Sequence, residues 1–231
     1  PRGGPAGAGA LTPAGRTEPA HRGLFVTFEG PEGSGKSTLI AALATHLAGR
    51  GCDALALREP RGTAIGERIR NILLDPASQG MSPQTELLLM EASRAQLVRE
   101  KIEPALDAGL IILCDRFADA SVAYQGFGRG LGDRLVERFN AFATGGLEPD
   151  LTFLCLLPPA QGRQRLEQRR TDRLDREDLA FHERVYEGYQ TLAASGSPRF
   201  AVLDATQPPP ALREEALTHL ARLEHGLLKF L

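Results

Sequence analysis

The 231-residue chain carries 27 lysine and arginine residues against 29 aspartate and glutamate residues. Its formal net charge of −2 therefore indicates neither a nucleic-acid-binding nor a membrane-binding surface. Hydrophobic residues make up 42% of the sequence, but no apolar stretch approaches the length of a membrane span. Three cysteines lack metal-ligand spacing, and Cys114 and Cys155 lie within apolar runs, which predicts buried structural thiols in a reducing cytoplasm.

The first 22 residues differ in composition from the rest of the chain. Residues 1–22 are rich in proline, glycine and alanine and show no apolar periodicity, so they predict a flexible extension. A transit peptide is the alternative, because the segment contains three arginines, but it has no serine and no amphipathic pattern. We expect a single domain over residues 23–231, since no repeat and no linker interrupts it.

From residue 23 onward, short apolar runs alternate with longer segments of helical periodicity. This alternation predicts an α/β fold with a parallel five-stranded sheet and helices on both faces. The strands are expected at 24–29, 54–58, 110–115, 151–157 and 200–203. The helices are expected at 37–49, 65–74, 84–106, 132–143, 160–170, 178–194 and 210–228.

The segment after the first expected strand has the spacing of a phosphate-binding loop. It consists of Gly30, Pro31, Glu32, Gly33, Ser34, Gly35, Lys36 and Ser37, and Thr38 continues it into a helix. The glycines let backbone N–H groups converge on phosphate oxygens, and the helix N-terminus adds positive potential. Lys36 would reach the β- and γ-phosphates of ATP, and the Ser37 hydroxyl would ligate Mg²⁺. The flanking strand and helix favour this interpretation over a glycine-rich turn that binds nothing.

An Asp-Arg pair follows the third expected strand, at the sheet edge where α/β proteins bind their ligands. Asp115 can hold the water shell of a metal ion there. Arg116, together with Arg70, suits a bidentate grip on an acceptor phosphate. The alternative is a capping ion pair between Asp115 and Arg116. An acceptor phosphate needs no general base, so transfer would depend on positioning and charge neutralisation.

Further segments, taken in chain order, resemble the thymidylate kinase family. They are REPRGT at 58–63, RAQ at 94–96, DRF with AYQG at 115–126, PDLT at 149–152, and DRLD at 172–175 with the helix after it. The resemblance implies a P-loop nucleoside-monophosphate kinase that transfers the γ-phosphate of ATP to dTMP with Mg²⁺. It also implies that the partners are these two nucleotides and a second copy of the chain in a homodimer.

The resemblance implies a role for each residue of the acceptor site. Arg70 and Arg116 would hold the phosphate, Arg94 and Gln125 would face the base, and Tyr124 would pack under the deoxyribose, where a 2′-hydroxyl would clash. Glu32 would reach the 3′-hydroxyl or its waters. The implied dTMP-binding residues are Glu32, Glu59, Arg70, Met90, Arg94, Arg116, Ser121, Tyr124 and Gln125.

Six arginines between residues 163 and 176 mark an expected lid at about 163–177. Since the variable positions of the P-loop hold no arginine, the resemblance implies the bacterial type, in which the lid supplies the arginine for the γ-phosphate. Arg173 is the first choice, followed by Arg169 and Arg170. The expected catalytic residues are Lys36, Asp115, Arg116 and Arg173.

Four positions depart from the family pattern. Met90 replaces a phenylalanine that stacks on thymine, Arg61 replaces a glycine, Ala120 replaces a serine and Leu156 replaces an aspartate. None of these changes removes a phosphate-handling residue, so they leave the reaction class intact and the base selectivity open. Phe127 is the alternative stacking residue.

Other acceptors and other functions remain as alternatives. A deoxynucleoside kinase would need a carboxylate base after the second strand, and Glu59 could serve, although the Asp115–Arg116 pair favours a monophosphate acceptor. Another nucleoside-monophosphate kinase would differ only in its base. A regulatory module that senses ATP would need switch segments or an effector domain, for which 231 residues leave no room.

Overall fold

A computed structural model of the chain describes residues 22–166, 172–223 and 225–228. Its centre is a five-stranded parallel sheet with the order β2-β3-β1-β4-β5. The strands are β1 Leu24–Glu29, β2 Ala54–Arg58, β3 Ile111–Asp115, β4 Leu151–Leu156 and β5 Phe200–Asp204. The predicted α/β fold is confirmed, and both ends of every strand lie within one residue of the predicted positions. The expected extension, apart from Arg22, lies outside the described residues, as do Arg169 and Arg170.

Helices connect the strands, and all except the short helix Ala118–Ser121 lie where the sequence pattern predicts them. They are α1 Lys36–Ala48, α2 Ala64–Leu74, α3 Pro83–Leu97, α4 Glu103–Asp107, α5 Ala118–Ser121, α6 Asp133–Thr144, α7 Pro159–Leu166, α8 Leu179–Ala194 and α9 Pro209–Ala221. None in the described ranges is both long and apolar enough to cross a membrane. The helix expected at 210–228 was predicted too long, because α9 stops at Ala221 and a 3₁₀ turn, Gly226–Leu228, follows it.

Two π-helical segments depart from the sequence prediction. Val98–Ile102 joins α3 to α4 within the helix expected at 84–106. Pro104 lies just beyond this segment and has no N–H to donate to the preceding turn, which accounts for a local widening of the helix. Val122–Gly128 continues α5 where no helix was predicted, because its two glycines and mixed side chains show no helical period. Gly188 of α8 lies close against this second segment.

Helices cover both faces of the sheet, and the side chains of β1 show how. Leu24, Val26 and Phe28 belong to a core cluster that includes residues of α1 and α9. Phe25 belongs to a cluster on the opposite face with residues of α3 and α4. Burial of both faces requires a continuous apolar strand, as LFVTFE is. Because these strands are parallel, the polar residues that end β1, β2 and β3 lie together at the carboxyl end of the sheet.

Candidate active site

The P-loop connects β1 to α1 and wraps around the lysine predicted to bind phosphate. Lys36 is buried, and its Nζ donates to the carbonyl oxygens of Gly30 and Pro31, each at 2.9 Å. Burial and the nearby Arg116 lower the pKa of Lys36. Gly30 has a φ of 134°, and a Cβ there would come within 2.2 Å of the carbonyl oxygen of Cys155. Only glycine can therefore follow β1 in this conformation.

Asp115 lies beside the P-loop, at the carboxyl end of β3. The Ser37 hydroxyl donates to Oδ2 of Asp115 at 2.8 Å, and Nε of Arg58 lies 3.6 Å from the same oxygen. Oδ1 of Asp115 is buried and has no hydrogen-bond partner among the described residues. An unpartnered carboxylate oxygen next to a serine hydroxyl matches the hard oxygen ligands that Mg²⁺ prefers. The structure thus brings the predicted pair, Ser37 and Asp115, into contact, and its role as a metal site stays a prediction.

A cleft, which Glu32 of the P-loop helps to line, opens beside the loop. It lies between the carboxyl ends of β2 and β3, the helices α2 and α3, and the segment after α5. All nine residues predicted to bind the acceptor line it: Glu32, Glu59, Arg70, Met90, Arg94, Arg116, Ser121, Tyr124 and Gln125. Residues from five separate parts of the sequence therefore meet in one concave site, as expected for a ligand pocket.

Arg116 connects this cleft to the P-loop. Its Nη1 donates to the carbonyl oxygen of Gly30 at 3.2 Å and to the Tyr189 hydroxyl at 3.0 Å. Its Nη2 donates to Oε1 of Glu32 and, at 3.0 Å, to the Tyr124 hydroxyl. The residue has a φ of 72°, which is uncommon outside glycine and is maintained here by these four contacts. Burial raises the pKa of Glu32, but Arg116 and Lys36 outweigh it and hold that pKa at about 2.

Arg94 lines the cleft, but its guanidinium is already saturated with hydrogen bonds. Nε and Nη2 donate to the carboxylate of Glu59 at 2.7–3.2 Å. The other acceptors are Glu91 Oε1 at 2.6 Å, Asn140 Oδ1 at 2.7 Å, the Phe117 carbonyl at 2.9 Å and Ser121 Oγ at 3.0 Å. A base contact of Arg94 stays a prediction, and it requires exchange with one of these acceptors. The same contacts occupy both oxygens of Glu59, which argues against Glu59 as a catalytic base.

The two residues considered for stacking on the base, Met90 and Phe127, lie in different environments. Met90 is half-buried and lines the cleft. Phe127 is absent from the cleft lining and packs instead with Leu87, Val122 and Val136. The alternative in which Phe127 takes over the stacking is therefore not supported by its position.

Arg173, the first choice for the γ-phosphate, is paired with residues of α2 and α3 in this structure. Its side chain is buried, with Nη2 2.6 Å from Oε2 of Glu86 and Nε 2.7 Å from the carbonyl oxygen of Leu73. It is absent from the lining of the cavity that includes Lys36 and of a second cavity beside the P-loop. The sequence pattern identified a conspicuous arginine, but it could not show that a buried carboxylate from α3 would pair with it.

Several residues that sequence reasoning passed over also line the site. Arg165 of α7 donates to the carbonyl oxygens of Gly33 at 3.2 Å and Ala205 at 3.1 Å and lines the two cavities on the donor side of the P-loop. Arg165 was not among the three lid arginines chosen for the γ-phosphate, although its distance of nine residues from the end of β4 could have been a signal. The acceptor cleft also includes Arg58, Pro60, Leu74, Ala120, Asp172, Leu174 and Asp175.

Comparison with known proteins agrees with this geometry. The family model described as "Thymidylate kinase" matches residues 28–216. The thymidylate kinase of Desulfovibrio desulfuricans is 50% identical over 194 residues, 80% of this chain and 89% of that protein. That of Deinococcus radiodurans is 49% identical over 205 residues, 88% and 99% of the two chains, and that of an Exiguobacterium species is 46% identical over 206 residues, 88% and 97%. This chain therefore belongs to the thymidylate kinase family, the ATP-dependent nucleoside-monophosphate kinases that act on dTMP.

Proposed function

We propose that the chain transfers the γ-phosphate of ATP, held by the P-loop, in line to the phosphate of dTMP held in the acceptor cleft. The observation that carries this proposal is the position of Arg116, which bonds to the P-loop and lines the acceptor cleft at the same time. A group placed there can orient two bound nucleotides toward each other and neutralise charge between them. Positioning and charge neutralisation are the main requirements of phosphoryl transfer.

The residues of the site divide between the two nucleotides. Lys36 and the P-loop backbone serve the donor, while Arg116 and Arg70 hold the acceptor phosphate; Arg58, which lines the same cleft, supports them. Within the described ranges, no cluster of three or more metal-binding side chains is present. Mg²⁺ in such sites is held by one or two protein oxygens and by the substrate phosphates, so Ser37 and Asp115 are sufficient. When bound, the ion would neutralise phosphate charge.

The lid is proposed to supply further positive charge on the donor side. Arg165 already contacts the P-loop carbonyl of Gly33 and is the described arginine best placed for this task. A catalytic role for Arg173 would require its ion pair with Glu86 to open when ATP binds. Residues 23–231 are proposed to form one domain, with the lid at about 163–177.

The quaternary structure and location follow from separate features. Five large apolar side chains on α2, α3 and α6 are exposed, with Phe142 at 88% exposure, and the helices that carry them are neighbours. We propose that this face forms a homodimer, which sedimentation velocity would detect.

The three cysteines are free, which supports a reducing compartment, and the cytoplasm is the proposed location. No nucleic-acid or membrane partner is proposed.

A coupled assay of ADP formation tests the proposed acceptor. With ATP and Mg²⁺ present, dTMP should give the highest kcat/KM among dTMP, dUMP, dCMP and dGMP. Equal use of all four would contradict a thymidylate-specific site, and ADP formation that does not depend on any acceptor would indicate a simple ATPase.

Met90→Phe should tighten dTMP binding by less than about tenfold. A phenylalanine would offer a flat face to the base, and such stacking contributes about 0.5–1.5 kcal/mol, while methionine already gives a sulfur contact of similar size. Met90 lines the cleft, so either side chain can reach a bound base. Calorimetry with dTMP and dUMP measures the change, with ATP affinity as the internal control. Weaker dTMP binding by the variant would show that the pocket is already full.

A further inference from the structure

Glu86 of α3 is a buried carboxylate that no step of the proposed reaction uses. Its relative exposure is 0%, and four hydrogen bonds saturate its two oxygens. Oε1 accepts from Nε2 of Gln125 at 2.8 Å and from Nε of Arg129 at 3.1 Å. Oε2 accepts from Nη2 of Arg129 at 2.9 Å and from Nη2 of Arg173 at 2.6 Å. Burial raises the pKa of Glu86, but the hydrogen bonds from Arg129 and Gln125 outweigh this effect and bring the pKa below its ordinary value. The group is therefore ionised at neutral pH.

The charge of Glu86 determines which end of the Gln125 amide faces the cleft. An ionised carboxylate only accepts hydrogen bonds, so Gln125 must present its NH₂ group to Glu86. The hydrogen bond that the structure shows for the Gln125 side chain runs from its Nε2 atom, which leaves the amide oxygen available to another partner. Because Gln125 lines the acceptor cleft, this oxygen is the polar atom that it can offer to a bound base.

An amide oxygen distinguishes pyrimidines by their N3 position. The N3 atom of thymine or uracil carries a hydrogen and donates to such an oxygen. The N3 atom of cytosine carries a lone pair, so two acceptors would face each other and a buried polar group would be left unpaired, which is strongly unfavourable.

We propose that Glu86 is a positioning residue that fixes the amide of Gln125, so that its oxygen selects an acceptor base with an N3–H group and rejects cytosine. This proposal rests on the acceptor site described above. Arg173 holds the carboxylate at Oε2, and Arg129 bonds to both of its oxygens. The lid arginine Arg173 is thereby connected to recognition of the acceptor base.

Glu86→Gln gives the most direct test, because the structure predicts how the new amide will be oriented. Two arginine N–H groups donate to the Oε2 position and one to the Oε1 position, so the carbonyl oxygen of the introduced amide belongs at Oε2. The NH₂ group of that amide then faces Gln125, which must turn its own oxygen toward position 86 and its NH₂ group into the cleft. The kcat/KM for dTMP should fall while that for 5-methyl-dCMP, which differs from dTMP only at the N3 and C4 edge, should rise. Their ratio should change by about tenfold or more.

Two controls separate this effect from general damage to the fold. Glu91→Gln makes the same chemical change in another buried carboxylate of α3, one that pairs with Arg94 and does not contact Gln125. It should not raise the use of 5-methyl-dCMP. In a Gln125→Leu background, Glu86→Gln should leave the ratio of the two substrates unchanged, because no amide remains to be turned.

The outcomes are distinguishable from failure of the proposed function. If the wild type does not phosphorylate dTMP, the proposed function itself is wrong. If it does, but Glu86→Gln lowers both activities equally or shifts their ratio in the Gln125→Leu background as well, the positioning role is wrong. If Glu86→Gln does not fold, Glu86→Asp is the second variant. It keeps the negative charge but moves the carboxylate away from Nε2 of Gln125, so the ratio of the two substrates should still change. A wild-type ratio in that variant would also overturn the proposal.

Discussion

Lys36→Ala should lower kcat by about two to four orders of magnitude and leave dTMP affinity almost unchanged. The Lys36 ammonium is the positive charge of the P-loop, and one oriented charge at a transferring phosphoryl group contributes on the order of 3–5 kcal/mol. The acceptor cleft does not include Lys36 in its lining, so dTMP should still bind. Steady-state kinetics and calorimetry with dTMP measure the two quantities separately.

Lys101→Ala is the matched control for this variant. Lys101 is exposed and pairs with Glu100 at 3.8 Å, far along the chain from the P-loop, so its loss should change kcat very little. Thermal melting shows whether the Lys36 variant stays folded, since the lysine also bonds to two loop carbonyls. A folded Lys36→Ala enzyme within tenfold of wild type would mean that the loop does not bind the donor phosphates as described.

Arg116→Ala should lower kcat/KM for dTMP by about a hundredfold or more, through both a higher KM and a lower kcat. Each charge-assisted hydrogen bond to the acceptor phosphate contributes about 1.5–3 kcal/mol. Displacement of the attacking oxygen by as little as 1 Å can cost a further factor of about a hundred. The variant also leaves Glu32 without its ion-pair partner beside the incoming phosphate. KM for ATP should change much less.

Arg138→Ala, an exposed arginine of α6, is the control for the loss of one positive charge. Arg116→Lys should restore part of the activity, because an ammonium keeps the charge but lacks the planar pair of donors. Equal increases in KM for dTMP and for ATP in Arg116→Ala would indicate general damage to the P-loop. They would argue against a specific grip on the acceptor.

The sequence predicted the sheet from local patterns, and the resemblance to the thymidylate kinase family supplied the members of the acceptor site. Apolar runs identify the strands, and the carboxyl ends of neighbouring parallel strands meet at one edge, which brings Arg58 and Asp115 together. The spacing from Gly30 to Ser37 specifies the P-loop for the same reason. Contacts between distant segments were not predictable in this way. Saturation of the Arg94 guanidinium depends on Asn140, which is 46 residues away.

The lid shows the same limit more clearly. Arg173 stands in a sequence motif that indicates catalysis, yet its partner Glu86 is 87 residues earlier and was not singled out. Arg165 had no motif and lies against the P-loop. Which arginine of a basic segment turns toward the phosphates depends on tertiary packing, and composition alone does not specify it.

The fate of the γ-phosphate tests the central claim most directly. The enzyme would be given ATP labelled in the γ-phosphate together with equal concentrations of thymidine and dTMP, and the products would be separated by chromatography. The site described here predicts that the label appears in dTDP, at a rate that dTMP saturates. Label in dTMP formed from thymidine, or release of labelled inorganic phosphate at the same rate without either acceptor, would contradict it.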